Sequence, residues 1–172
     1  MPDDVVVRCG LRADLELDRP LLRRLRRELR QAEALAVAGR SLRRRDLSRR
    51  RLADRLEGAG VAPAVERSAL QALTDARILD DARLAETRAA ALADRGWGDA
   101  AIAARLDAEG IAEDEARAAL AGLPAEALRA ERITRGLSRP KAWALLARRG
   151  FDEETTDAVV GWLDEDAGGG LG

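Results

Sequence analysis

The 172-residue chain has no histidine, no tyrosine, one phenylalanine and one cysteine, Cys9. Without histidine there is no Ser-His-Asp or Cys-His catalytic group, and a Cys/His zinc site cannot be assembled. A lone thiol supports no disulfide framework, which fits a reducing compartment. No run of about 18 uncharged apolar residues is present, so no membrane helix is expected. The opening MPDDVVVRCG lacks the basic-then-apolar layout of a signal peptide. The expectation is a cytoplasmic, monomeric chain with no catalytic residues, no cofactor and no metal.

Aromatic residues make up 2% of the chain and alanine and leucine dominate its apolar set, which favours helices over sheets. The helical signal is organised by glycine. Superposing Gly60, Gly110 and Gly150 places Leu56, Leu106 and Leu146 four residues before the glycine, and Leu52, Ile102 and Ala142 eight before it. Val61, Ile111 and Phe151 follow directly. Downstream, Ala69, Ala119 and Val159 align, as do Leu70, Leu120 and Val160, and then Leu73, Leu123 and Leu163. Apolar residues four apart share a helix face, a terminal glycine supplies a left-handed cap, and the apolar residue beyond it folds back on the last turn. Each copy therefore predicts helix, glycine turn, helix. The second helix opens at Pro63 in the first copy and at the acidic runs Glu113–Glu115 and Asp152–Glu154 in the others.

The remaining segments fill in around this unit. Weak alternation through Val5, Val7, Cys9, Leu11, Leu15 and Leu17 predicts a short strand pair. Pro20 and the leucines at 21, 22, 25 and 29 begin an amphipathic helix that should end near Gly39, with Arg23, Arg24, Arg26, Arg27 and Arg30 on its outer surface. A third helix, capped by Asp80 or Asp81 and running through Leu84 and Leu92, should complete the first unit. The predicted fold is all-α: an extended, curved array of three-helix repeats, about eight or nine helices in total. Its expected divisions are an N-terminal segment (1–40), repeats at 41–97, 98–137 and 138–163, and a disordered tail (164–172). Trp97, Trp143 and Trp162 lie near the repeat glycines or core columns and are expected to pack.

A net charge of −1 conceals a strong asymmetry. Residues 1–55 carry 16 arginines against nine acidic residues, whereas the rest carries 14 basic against 22 acidic. Arg43, Arg44, Arg45, Arg49, Arg50 and Arg51 form a basic knot, and Arg139, Lys141, Arg148 and Arg149 restore basic character near the end. Guanidinium groups pair with phosphate or carboxylate in bidentate fashion, so these ten residues are the candidate contacts to nucleic acid or to an acidic protein wall.

Several phrases resemble one family. SRRRL from Ser48, LDDARLA from Leu79 to Ala85, RGWG from Arg95 to Gly98 and ARRGF from Ala147 to Phe151 are similar, in order and spacing, to the RecX family of bacterial regulators of the recombinase RecA. The likeness runs from about Ala34 to Leu163. It departs at Leu84, commonly phenylalanine in the family, and in a second repeat that is rich in alanine and aspartate. The resemblance implies a non-enzymatic helical-repeat protein that binds in the groove of the RecA filament, contacts single- and double-stranded DNA without sequence specificity, and modulates, usually inhibits, ATP hydrolysis and strand exchange. Two alternatives remain at this point: a helix-turn-helix transcription regulator, disfavoured because two of the three second helices open with carboxylates, and a helical adaptor for some other protein.

Overall fold

The computed structural model describes residues 3–12, 15, 16 and 18–168, with side-chain surroundings described through Gly161. Among the described residues the secondary structure is ten α-helices and no strand: α1 (Asp3–Cys9), α2 (Arg19–Leu42), α3 (Arg49–Gly58), α4 (Pro63–Asp75), α5 (Asp81–Asp94), α6 (Asp99–Ala108), α7 (Glu113–Ala121), α8 (Glu126–Thr134), α9 (Arg139–Arg149) and α10 (Glu153–Gly168).

The expected strand pair is a helix where it is described. Val5 and Cys9 are both buried while Val7 between them is 79% exposed. The two buried residues are four apart and share one helical face, a spacing that two-residue alternation also satisfies. Asp3 and Asp4 in the first turn and Arg8 in the last complement the helix dipole. This α1 packs on α2, where Arg24 donates to the Arg8 carbonyl at 2.7 Å.

The helix α2 starts at an Asp18 cap, whose Oδ1 accepts the Leu21 N–H at 2.8 Å, with Pro20 in the first turn. It continues past Gly39 to Leu42. Glycine weakens a helix by only about 1 kcal/mol relative to alanine, and the chain closes off at Arg43, whose N–H reaches the Gly39 carbonyl at 3.1 Å.

Two compact units divide at Asp80/Asp81. In the first, α2, α3 and α4 pack on one another around Leu52 and Leu56. In the second, α5, α6 and α7 form one bundle around Ile102 and Leu106, and α8, α9 and α10 form another around Leu146 and Phe151. The three-helix repeat is thus observed, with its phase shifted. The helix beginning at Asp81 opens the second bundle instead of closing the first, and the sequence boundary at 97/98 falls inside that bundle. Glycine spacing fixes the period of a repeat; only packing reveals which neighbour the third helix joins.

The repeat columns are the cores. Leu52, Ile102 and Ala142 are fully buried, as are Leu56, Leu106 and Leu146. Gly60, Gly110 and Gly150 have φ of 77°, 81° and 73°. At each, the next residue's N–H returns to the carbonyl of the leucine, as with Val61 to Leu56 at 3.1 Å. The backbone of α10 is helical through Gly168, so the first residues of the expected tail extend that helix; 169–172 lie outside the described residues. The side chains of Trp162 and Leu163 are likewise outside them.

Candidate polyanion-binding surface

Helix first turns favour carboxylates, because four unpaired N–H groups and the aligned peptide dipoles make that end positive. Acidic residues open α4, α5, α6, α7, α8 and α10. Three helices lack an acid there: α2, which begins with Arg19 behind its Asp18 cap, and α3 and α9, whose first turns carry more cations. Arg49, Arg50 and Arg51 form the first turn of α3, and Arg139 and Lys141 stand in that of α9, with no acid in either turn. Both helices hold the same place, the first of the helix-glycine-helix pair, while its counterpart α6 begins with Asp99. Each cation there opposes the dipole by roughly 0.3–1 kcal/mol at an exposed site. An anion bound at these turns would reverse that sign.

Local structure fixes these side chains outward. Ser48, itself buried, caps α3 by accepting the Arg51 N–H at 3.2 Å. Leu47 and Leu52 on either side enter the core, and the three arginines between are exposed. Arg49 also donates to Thr74 Oγ1 at 3.2 Å, joining α3 to α4. Arg43, Arg44 and Arg45 occupy the exposed link between α2 and α3. Two of them, Arg44 and Arg45, share a cleft of about 240 Å³ with Arg40 and Arg55, which the sequence reading had not singled out.

Of the second basic group, Arg139, Lys141 and Arg148 are exposed on α9. Arg149 turns inward to the junction between the second and third bundles. Its Nη1 donates to the Arg95 carbonyl at 2.9 Å, and its guanidinium lies 4.7 Å from the Trp97 ring centroid. Arg105 covers the same ring at 3.6 Å. Trp97 is therefore packed between two cations, whereas Trp143 is 51% exposed.

The junction is built around another residue unmarked in the sequence. Arg129, 3% exposed, donates to the carbonyls of Pro124 (3.0 Å) and Trp97 (2.8 Å) and pairs with Asp99. Glu126 accepts the Asp99 N–H at 2.6 Å. Burial first, and then a hydrogen bond to Asp152, push the Glu126 carboxyl up to about 7. Asp152 is held below the usual aspartate range, chiefly by that Glu126 hydrogen bond and then by the Thr155 N–H that it caps.

No family model matches the chain. Among curated proteins, the regulatory protein RecX of Chromohalobacter salexigens is 40% identical over 125 residues, 67% of this chain and 82% of the relative. The chain belongs to the RecX family. A second member, the regulatory protein RecX of Halorhodospira halophila, is 32% identical over 141 residues, 76% of this chain and 88% of its own. Two solved structures share the fold. RecX from Lactobacillus salivarius superposes with a TM-score of 0.73 at 17% identity, covering 79% of this chain and 97% of that one. Another regulatory protein RecX gives 0.78 at 18% identity, covering 91% and 86%. The RecX-like phrases in this chain now have structural content. RGWG supplies the left-handed cap of α5 at Gly96 (φ 76°) and the stacked Trp97. ARRGF supplies the cation that covers Trp97 and the buried Phe151.

Proposed function

We propose that this RecX-family chain is a non-enzymatic regulator of the RecA recombinase, acting as an inhibitor from within the groove of the RecA–DNA filament and so bearing on recombination and repair. The RecX resemblance suggests the partner, and the cationic first turns of α3 and α9 support a polyanionic target. In those turns Arg49, Arg50, Arg51, Arg139 and Lys141 stand against the local dipole, an arrangement that an anionic partner relieves. Arg43, Arg44 and Arg45 extend the basic turn of the first unit, and Arg148 that of the second. Arg149 supports it from behind through Trp97.

These contacts address phosphate and carboxylate charge, not base edges, so binding is independent of sequence. If about six arginines of the α2–α3 region meet phosphates, affinity for DNA falls by roughly 10³ between low and moderate salt. The partner is tested by co-sedimentation with RecA filaments assembled on single-stranded DNA. The chain should pellet with the filament at near-stoichiometric amounts, and substitution of Arg49, Arg50 and Arg51 by glutamine should release it. Recovery in the supernatant regardless of filament would refute the reading.

A further inference from the structure

We infer that the cleft between the end of α2 and α3 is a seat for one phosphodiester group of a nucleic-acid backbone, gripped by Arg40, Arg44, Arg45 and Arg55. The inference rests on the proposal above for its polyanion and adds the atoms that hold it. Four guanidinium-bearing residues line one open cavity of about 240 Å³ together with Val37, Ser41 and Leu47, and no carboxylate is among the lining residues. Among the described residues none of the four arginines forms an ion pair. Arg8, Arg88, Arg117 and Arg129, by contrast, each have an acidic partner.

Helix C-terminal compensation accounts for part of this set only. Arg40 is in the last turn of α2 and Arg55 in that of α3, where a cation is favourable. Arg44 and Arg45 follow the end of α2 and belong to neither helix, yet line the same cavity. Mutual repulsion disfavours gathering four like charges without a counter-charge. A phosphodiester, whose single negative charge is shared by two oxygens that can accept from several N–H forks at once, offsets part of that repulsion and matches guanidinium geometry. The hydroxyl of Ser41 is turned away to the Val37 carbonyl at 3.1 Å, leaving the arginines as the donors. The Val37 and Leu47 floor suits the sugar edge that accompanies a backbone phosphate.

The test is binding of a fluorescein-labelled single-stranded oligonucleotide by anisotropy across a salt series. It compares wild type, R40Q/R55Q, R44Q/R45Q, and the control R26Q/R30Q. The control removes two exposed charges from the same helix, about 15–20 Å away along its axis. All these positions are exposed, and circular dichroism confirms folding before each titration. Either cleft pair should weaken binding about tenfold or more. Each should also lower the slope of log affinity against log salt by up to about 0.7, the share of one single-strand phosphate, while the control changes it by less. Wild-type affinity and slope in both cleft pairs, or an equal loss in the control, would overturn the phosphate seat. Unchanged oligonucleotide binding with lost regulation of RecA would assign these arginines to an acidic protein surface and also overturn it. Weakened oligonucleotide binding upholds the seat even where RecA ATPase proves insensitive to the wild-type protein, so the two proposals fail separately.

Discussion

The N–H of Gly98 donates to the Arg149 carbonyl at 2.9 Å, and a Cβ placed on Gly98 would meet the carbonyl oxygen of Gly150 at 2.3 Å. The second and third bundles therefore meet backbone to backbone, through the glycine that starts α6 and the one that ends α9.

Gly98→Ala should force that junction apart. The backbone atoms it meets have no rotamer to change, so a loss of about 1–3 kcal/mol is expected. Gly60→Ala is the comparison: its Cβ would meet nothing within 4 Å, and the left-handed φ of 77° alone should cost roughly 1–2 kcal/mol. Gly150→Ala combines both penalties, since its φ is 73° and its Cβ would lie 2.5 Å from that of Ala101. Urea denaturation should rank Gly150→Ala as the most destabilised of the three. Equal midpoints for all three would show that the close approach carries no energy.

Arg129 holds the same junction from inside. Replacing it with alanine leaves Asp99 unpaired and strips donors from the Trp97 and Pro124 carbonyls. Arg129 is buried but Asp99 is 39% exposed and stays partly solvated, so the expected cost is about 2–3 kcal/mol, mainly from the donors lost to the two carbonyls. Arg129→Lys retains charge but not the planar fork that reaches three acceptors, and should recover only part of the loss. Full recovery by lysine in thermal denaturation would contradict a geometric role.

The Glu126–Asp152 pair makes stability depend on pH in a defined window. Glu126 is raised from 4.5 to about 7 in the folded chain. Its stabilising contribution is therefore fully present below about 4.5 and lost as pH rises through 7. Asp152 is lowered from 3.8, so its contribution is present above that value and lost as pH falls through the folded pKa. Glu126→Gln mimics the protonated acid, accepting from Asp99 and donating to Asp152 at every pH. The variant should match wild type near pH 5 and exceed it at pH 8. Parallel stability curves across that interval would remove Glu126 as the titrating group.

The glycine periodicity was legible because a left-handed cap restricts residue choice at one position, and the leucine columns flanking it proved to be the cores. The phase of the repeat was not, since α5 offers apolar residues to either neighbour in sequence alone. The strand expectation at Val5–Cys9 failed because a segment of this length satisfies both periods. Arg129 was hidden for a different reason. It is the fourth residue of α8, as the buried Leu84 is of α5, and each is followed by a fully buried alanine. Aligning helix starts instead of glycines would have shown an arginine in a leucine column. Arg40 and Arg55 escaped notice because they lie outside the arginine runs and join them only when α2 and α3 pack.

The central claim is that a helical array with cationic first turns at α3 and α9 restrains RecA. The most direct measurement is the single-stranded-DNA-dependent ATPase of the cognate RecA, with and without this chain. The rate should fall at sub-stoichiometric to stoichiometric amounts and recover when Arg49, Arg50 and Arg51 are replaced by glutamine. An unchanged rate at stoichiometric wild-type protein would contradict the account.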